Sequence, residues 1–359
     1  MGVSGLRRKT FTNNTLNQEL FLPEVELSAR LLSAGRSIDG LRATVTLTPR
    51  HDLSTSNEPP RDANPRQDGY WSAFILTPSS FTCADVSVRI EPDPARGEQP
   101  PATGALDAVV LALRYVAYGP FGRRWQRQDI VLPLGFPPVA PEPAAAGGDT
   151  VPVKTHLLCH LDDPVSVARR YAVPVAQAGD VLCVAESALA VMQGRWRHPE
   201  NIRPGLIARL ACKLFKTTSS LATACGMQSL IDMVGRARVV FAVVVGAVAR
   251  LLRIRGAFYS AAGEQSRLVD DLTGTLPPYD QYIVAGPVRS EDVAESVRRA
   301  TGIETAVVDA NDLGKVDVLG ASSGVDRAAV QRALAPNPAG NGDQRTPLVL
   351  VRGCTLAEQ

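Results

Sequence analysis

Apolar and polar residues alternate along several stretches in the first part of the chain. Residues 41–48 read LRATVTLT, and this period of two is typical of a strand buried on one face. The same period recurs at 86–90 and, less cleanly, after Ala108, and further apolar runs lie at 19–32, 70–76 and 129–134. Stretches rich in Pro and Gly separate these runs. Several short strands between turn signals predict a β-sandwich of the immunoglobulin-like kind.

The composition changes at 137–149, which read PPVAPEPAAAGGD. This segment is rich in Pro, Ala and Gly and has no apolar period, which is typical of a linker. We therefore predict a β-sandwich domain at 1–138, a linker at 139–150 and a second domain at 151–359.

Strand and helix signals alternate after the linker. The Asp-Asp-Pro sequence at 162–164 predicts the start of a helix over 165–171, because an acidic N-cap precedes a proline in the first turn. The continuous apolar run at 181–185 is typical of a strand covered on both faces. A further helix is predicted at 290–300, with strands at 306–308 and 348–351. The second domain is therefore expected to be mixed α/β, and the whole chain α+β.

One apolar segment bears on membrane contact. Residues 239–252 read VVFAVVVGAVARLL, with two arginines just before them and two just after. A spanning helix needs about 20 apolar residues, and Arg250 interrupts this segment earlier. A buried or interface helix is the favoured interpretation, so membrane contact is not expected. The flanking arginines leave a peripheral membrane contact as the alternative.

Composition and charge exclude several classes of protein. The chain has 359 residues, of which 45% are hydrophobic and 21% charged, as in ordinary globular domains. The net charge is +2 without a basic stripe, so nucleic acid is not expected as a partner. The six cysteines include no C-x-x-C pair, and no apolar run follows the basic residues near the amino terminus. We therefore expect buried free thiols and a cytoplasmic protein.

A polar constellation directly follows the strand predicted at 181–185. Residues 179–195 read GDVLCVAESALAVMQGR, with Glu186 and Ser187 after the strand and Gly194 and Arg195 at the end. Backbone amides and small polar side chains at the end of a strand can hold a phosphate, and an arginine adds bidentate contacts to an anion. The alternative is a strand followed by a capped helix with Arg195 solvated, and the pattern alone favours this alternative.

Carboxylates occur in two later segments. Asp270 and Asp271 lie in 262–278, AGEQSRLVDDLTGTLPP, where they fit a hard divalent cation and the capping of turn amides equally well. Asp309 ends an apolar strand in 307–312, VVDAND. Ligand sites in open α/β sheets lie at this edge, so Asp309 is the best single candidate for a metal ligand.

A glycine-rich loop precedes the last predicted strand. Residues 339–353 read AGNGDQRTPLVLVRG, and the loop carries Gly342, Asp343 and Gln344. Such loops let backbone amides approach a nucleotide closely, although one loop of this kind is a weak signal. Residues 217–226, TTSSLATACG, fit tight helix packing with hydroxyl caps better than phosphate binding.

Taken together and in this order, these segments resemble the coenzyme F420-0:γ-glutamyl ligase family between Val151 and Arg352. The segments that carry the likeness are 179–195, 262–278, 308–312 and 342–353. The likeness is stronger still to a cyanobacterial-type subgroup that joins a β-rich amino-terminal region to this domain. The resemblance implies a mixed α/β ligase domain that forms a homodimer.

The resemblance also implies a reaction. Enzymes of the family use GTP to phosphorylate a carboxylate of the F420 precursor, and the amine of L-glutamate then attacks the acyl phosphate. Mg²⁺ or Mn²⁺ lowers the charge repulsion between phosphates and carboxylates. By this likeness Asp309 stands at a metal-binding position, and Gly342 and Asp343 lie in the nucleotide loop. The partners implied are a small-molecule substrate and a nucleotide.

The chain departs from the family at several polar positions: Val191 stands for a phosphate-facing lysine, Gln265 for a metal-binding aspartate, Leu268 for an asparagine and Ala310 for a threonine. Asp270 or Asp271 is a hypothetical replacement for the missing carboxylate. Two functions therefore stay open. One is a GTP-dependent amide ligase with altered substrate or metal chemistry, and the other is a non-catalytic binding or scaffold protein that keeps the ligase fold.

Overall fold

The structure is a computed structural model of the chain. It describes residues 3–12, 18–33, 36–37, 41–50, 74–76, 81–92, 106–119, 122–138, 149–216, 219–254, 256–269, 276–310, 314–340 and 344–356. Contacts divide the chain into two units, Met1–Leu134 and Gly135–Gln359.

The amino-terminal unit consists of antiparallel β-strands in two sheets. Its strands are β1 Val3–Thr12, β2 Gln18–Ser33, β3 Arg36–Ser37, β4 Leu41–Arg50, β5 Phe74–Leu76, β6 Phe81–Pro92, β7 Ala108–Gly119 and β8 Gly122–Pro133. One sheet has the order β1-β6-β4, and the other has the order β3-β2-β7-β8 with β5 beside β2. Each strand predicted from the sequence pattern coincides with, or overlaps, one of these strands.

Side chains from both sheets of this unit meet in one core. Val88 and Ile90 of β6 are buried and belong to the same cluster as Leu31 of β2 and Val109 of β7. On β4, residues 41–46 alternate between half-buried and exposed, as the period of two predicts. The predicted β-sandwich is therefore confirmed.

The carboxyl-terminal unit is built on a mixed sheet of five strands. The strands are β9 Thr150–Val153, β10 Val181–Ala185, β13 Glu304–Ala310, β14 Val316–Ala321 and β15 Leu348–Val351, in the order β14-β13-β10-β15-β9. The central strand β10 runs parallel to β13 and antiparallel to β15. The predicted α+β architecture is confirmed.

Helices cover both faces of this sheet. Leu182 and Val184 of β10 pack in one cluster with α1 Pro164–Tyr171, α2 Glu186–Met192 and α7 Ser290–Thr301. Val181 and Cys183, which alternate with them, pack on the other face in a cluster with α8 Arg327–Leu334. The prediction that this strand is covered on both faces is therefore correct.

The predicted ends of two helices are confirmed. The Asp163 carboxylate accepts a hydrogen bond from the Ser166 backbone N–H at 2.9 Å and so caps α1, whose first residue is Pro164. Helix α7 ends at Gly302, whose φ of 77° is the left-handed conformation that glycine adopts without strain.

A helical cluster lies between β10 and β13 in sequence. It comprises α3 Leu206–Ala211, α4 Ala224–Val234, α5 Arg236–Leu251 and α6 Ala257–Ala262, together with the short strands β11 Trp196–Arg197 and β12 Ile283–Val284. The Thr223 hydroxyl accepts from the Gly226 N–H and caps α4. A Cβ atom on Gly226 would lie 2.3 Å from the Ser220 carbonyl oxygen. Tight packing with a hydroxyl cap, the favoured interpretation of this segment, is confirmed.

Helix α5 buries only part of its apolar surface. Val239, Ala242 and Ala249 are buried, whereas Phe241, Val244 and Leu251 are 61%, 56% and 85% exposed. Within the described residues, no helix is long and apolar enough to cross a membrane.

Two residues from separate family-like segments form an ion pair beneath the sheet. The Arg352 guanidinium, just after β15, donates to Asp180, just before β10. Asp180 is buried and also accepts from the Gln177 backbone N–H at 2.7 Å. These motif residues therefore fix the start of β10 against the end of β15, which is a structural role.

Asp180→Asn should destabilise the carboxyl-terminal unit by about 2–4 kcal/mol, because it leaves the Arg352 cation without its buried counter-charge. Urea unfolding measures the change. Asp292→Asn is the matched control. It breaks an exposed pair with Arg289, so its loss should stay below about 1 kcal/mol. Equal losses in the two variants would show that the Asp180 pair contributes no more than a surface contact.

Candidate active site

A cavity of about 260 Å³ opens at the carboxyl end of the central strand β10. Ala185 at the end of β10, Ser187 and Val191 of α2, and Val308 and Ala310 of β13 form one side of it. The other side comes from three connecting segments, which contribute residues 155–158, 276 with 279, and 337–340 with 345–347. The cavity thus lies at the sheet edge where ligands bind in open α/β folds.

Most of the cavity wall is apolar or already hydrogen-bonded. The Thr155 hydroxyl donates to the His156 carbonyl at 2.8 Å, and the Tyr279 hydroxyl donates to the Leu158 carbonyl at 2.9 Å. Among the described lining residues, Arg345 is the one cation and no carboxylate is present. The wall therefore suits a ligand with an apolar body and an anionic group.

Two residues of the wall adopt a backbone conformation that side chains rarely take. Asn337 and Arg345 have φ values of 50° and 54°. The Arg345 carbonyl accepts from the Thr155 N–H at 3.0 Å, which fixes this segment to the loop after β9. Strained backbone of this kind costs about 1–3 kcal/mol and clusters at ligand sites.

A buried polar network backs the cavity at His156. Its Nδ1 lies 2.8 Å from the Tyr171 hydroxyl, and its Nε2 lies 3.0 Å from Oδ1 of Asp162. Oδ2 of Asp162 accepts from the Cys159 N–H at 2.8 Å. Both ring nitrogens are therefore engaged, and His156 positions the loop rather than serving as a base. The sequence pattern gave no signal for this histidine.

Cys183 on the cavity floor is not a nucleophile. Burial, with a smaller contribution from Cys354, raises the pKa of the Cys183 thiol far above its usual range. The thiol therefore stays protonated and packs as a small apolar group. Cys159, Cys183, Cys212, Cys225 and Cys354 are free thiols.

Arg195 and Gln265, two residues singled out in the sequence, are hydrogen-bonded to each other. Arg195 Nη2 donates to Gln265 Oε1 at 3.1 Å, and Arg195 Nε donates to the Gly286 carbonyl. Gln265 Nε2 in turn donates to the Pro287 carbonyl at 3.1 Å. Both ends of the Gln265 amide are occupied, so this side chain ties two segments together instead of facing a metal. Burial lowers the pKa of Arg195, and the described residues offer it no carboxylate.

The other substituted family positions are packed as apolar residues. Val191 is buried and lines the cavity, and Ala310 lines it at the end of β13. Leu268 is buried against Gly286, where a Cβ atom would lie 2.4 Å from the Leu268 Cβ. At the positions where the resemblance places a lysine, a threonine and an asparagine, the chain therefore has apolar side chains, and the first two of them line the cavity.

Asp309 lies on the face of β13 opposite to the cavity. Val308 and Ala310 line the cavity, and the residue between them on a strand points to the other face. Asp309 pairs with Asp317 across β13 and β14, and the Lys315 ammonium bonds to Asp317. Burial raises the pKa of Asp309; Lys315 lowers it, and Asp317 raises it further.

The remaining predicted site residues are dispersed. Ser187 lines the cavity, whereas Glu186 begins α2 and does not line it. Gly194 has a φ of 67° and ends the turn before Arg195, and Gln344 is exposed beside Gly340. The other candidates lie outside the described residues, namely Asp270, Asp271, Gly342 and Asp343.

The described residues do not fit a divalent metal site of the family type. No group of three or more His, Cys, Asp or Glu side chains in the described part of the chain is placed to hold a metal ion. Gln265 is held by Arg195 and Pro287, and Asp309 faces away from the cavity. Hard cations need several oxygen ligands on one side, which these positions do not provide.

Asp162→Asn should reduce the loss of stability in acid. Burial raises the pKa of Asp162, but the hydrogen bonds from His156 and Cys159 outweigh it, so the net shift is downward. A lowered folded pKa stabilises the protein above the unfolded pKa of about 4, and this stabilisation is lost as the pH falls below that value. Urea unfolding at about pH 5 and about pH 3 should show a smaller fall in the variant.

Tyr171→Phe is the comparison variant within the same network. It removes the hydroxyl that meets His156 and should cost about 1–2 kcal/mol at both pH values. Because it keeps the Asp162 carboxylate, its acid-dependent loss should equal that of the unmodified protein. An unchanged acid loss in Asp162→Asn would contradict the assignment to Asp162.

Comparison with known proteins bears on the amino-terminal unit. Residues 6–136 match the family described as F420-0:gamma-glutamyl ligase, N-terminal Ig-like domain. No curated protein matches the chain. The β-sandwich described above is thus the Ig-like domain of that family, and it precedes a mixed α/β unit as the sequence resemblance implies. This match over the amino-terminal unit supports a relationship of the chain to the F420-0:γ-glutamyl ligase family.

Proposed function

We propose that this chain is a GTP-dependent amide ligase that joins a carboxylate of a cofactor-like substrate to L-glutamate. The observation that carries the proposal is the match of residues 6–136 to a domain named for this ligase. A cavity at the edge of the mixed sheet in the second unit supports it, because all four of the ligase-like segments contribute residues to its wall.

The proposed reaction has two steps. A substrate carboxylate oxygen attacks the γ-phosphorus of GTP, and GDP leaves, so that an acyl phosphate forms. The glutamate amine then attacks the acyl carbon, an amide bond forms, and phosphate leaves with the amine losing its proton. The two steps conserve all atoms and need no redox partner.

In the proposed reaction, the cavity wall excludes water from the acyl phosphate and places a positive charge beside the ligand. Val191, Val308 and Ala310 provide an apolar surface beside which an acyl phosphate is protected from hydrolysis. Arg345 places one cation in the same wall, where it favours a carboxylate or phosphate group. The hydrogen bonds from the Tyr279 hydroxyl to the Leu158 carbonyl and from the Thr155 N–H to the Arg345 carbonyl tie the segments of this wall together.

The resemblance to the ligase family also implies that Mg²⁺ or Mn²⁺ takes part in the reaction. The described residues do not fit such a metal site, so the two proposed steps involve only GTP, the carboxylate substrate and L-glutamate. The hypothesis that Asp270 or Asp271 supplies the missing carboxylate remains a prediction about residues outside those described. Loss of metal binding in a variant lacking both carboxylates would support it.

A non-catalytic ligand-binding protein is the second candidate. Val191 and Gln265 favour it, because one closes the cavity wall with an apolar side chain and the other is tied to Arg195 and Pro287. Such a protein would bind the ligand in the same cavity without turnover.

Calorimetric titration with GTP and with ATP, each with and without Mg²⁺ or Mn²⁺, tests the proposal. We expect saturable binding of GTP that Ala310→Leu weakens by at least about tenfold, because the larger side chain fills the cavity. Ala328→Leu makes the same change on the exposed surface of α8 and should bind as the unmodified protein does.

Turnover separates the two candidates. Release of GDP and phosphate that depends on both a carboxylate substrate and L-glutamate supports the ligase. Binding of GTP without such release supports the non-catalytic protein. Absence of any nucleotide binding rules out the ligase.

A further inference from the structure

The helical cluster of the second unit carries an exposed apolar surface. Leu206 of α3 and Leu210 and Leu214, one and two turns further on, are 73%, 56% and 56% exposed. On α5, Phe241, Val244, Val248 and Leu251 follow one another at helical spacing, and all are more than half exposed. Helices α3 and α5 contact each other. We call these seven side chains the apolar face.

The same segment is strongly basic. Residues 201–263 contain nine basic residues and one acidic residue, Asp232, whereas the whole chain has 38 and 36. Eight of these basic residues are described, and all eight are exposed. They are Arg203, Arg209, Lys213, Lys216, Arg236, Arg238, Arg250 and Arg253. Within the described part of the chain, none of the eight forms an ion pair, and Asp232 pairs with Arg197, which lies outside this segment.

We propose that the apolar face and its surrounding cations dock this protein on the surface of an anionic phospholipid bilayer. A helix with an apolar side and a cationic rim lies in the plane of the interface, with its apolar side chains among the acyl chains and its cations at the phosphates. Helix α5 consists of Ala, Val, Phe, Leu, Gly and Arg alone. It therefore offers apolar area and positive charge without the neutral hydrogen-bonding groups that rim protein interfaces.

The charge around the apolar face favours an anionic bilayer over a second copy of the chain as its partner. In a two-fold dimer the same patch meets itself, so the eight exposed cations of one copy would approach those of the other. An anionic bilayer meets them with opposite charge. The sequence favoured a buried or interface helix for this segment, and the structure leaves much of its apolar surface exposed.

Sedimentation with lipid vesicles tests the proposal with the full chain. We expect binding to vesicles of phosphatidylglycerol mixed with phosphatidylcholine, little binding to phosphatidylcholine alone, and weaker binding at high salt. Arg250→Gln with Arg253→Gln should weaken binding about 30-fold, because each basic residue near an anionic surface contributes about 1 kcal/mol. Arg169→Gln with Arg332→Gln, two exposed arginines outside the cluster, is the control and should have little effect.

The apolar part has its own pair of variants. Val244→Glu with Leu251→Glu should abolish vesicle binding, and Val173→Glu with Val288→Glu should retain it, since these two exposed valines lie outside the cluster. Circular dichroism and the unfolding temperature check that each variant is folded. GTP binding should be unchanged in all four variants, so failure of this proposal is distinguishable from failure of the proposed ligase function.

Three results would overturn the proposal. The first is equal binding, or no binding, to the two kinds of vesicle. The second is a dimer in analytical ultracentrifugation that Val244→Glu with Leu251→Glu converts to a monomer while vesicles are not bound, which would show that a second copy covers the face. The third is vesicle binding that Val244→Glu with Leu251→Glu leaves unchanged. This would show that the protein is attracted to the vesicles by charge alone and that the apolar face does not enter the bilayer.

Discussion

The burial of strand β10 on both faces is the constraint on which the second unit depends. Its residues alternate between a cluster with α1, α2 and α7 and a cluster with α8, so a shift of register by one residue would exchange the two sets of contacts. Hydrogen bonds to β13 and β15 hold the strand on either side, and the ion pair between Asp180 and Arg352 fixes where it begins. Because its beginning is fixed, its end is fixed too, and that end forms the floor of the cavity.

The residues at family-like positions fall into two groups, those that hold the fold and those that would contact a ligand. Some, such as Asp180 and Arg352, keep the strands in register and are present with the contacts that such a role needs. Others would act on a ligand, and at these positions Val191, Gln265 and Ala310 make apolar or internally satisfied contacts. The framework that the sequence resemblance implies therefore surrounds a cavity whose described wall is apolar, with Arg345 as its cation.

Patterns that depend on local physics were readable from the sequence. The alternation at 41–48, the buried run at 181–185 and the acidic cap before Pro164 each determine structure through neighbours in the chain, and all three are confirmed. The candidate site was harder to predict, because it depends on distant contacts. Asp309 sits at the expected sheet edge, yet its place between Val308 and Ala310 directs it away from the cavity. His156 and Arg345 carried no local signal, and the contacts of His156 with Tyr171 and of Arg345 with Thr155 exist only in the fold.

A crystal structure of the full chain grown with GTP tests most directly the central claim that the end of β10 forms the ligand site. We expect nucleotide density in the cavity between α2, Tyr279 and residues 337–340, with an anionic group at Arg345. Nucleotide bound beside Asp309 and Asp317 on the opposite face of the sheet, with the cavity empty, would contradict it.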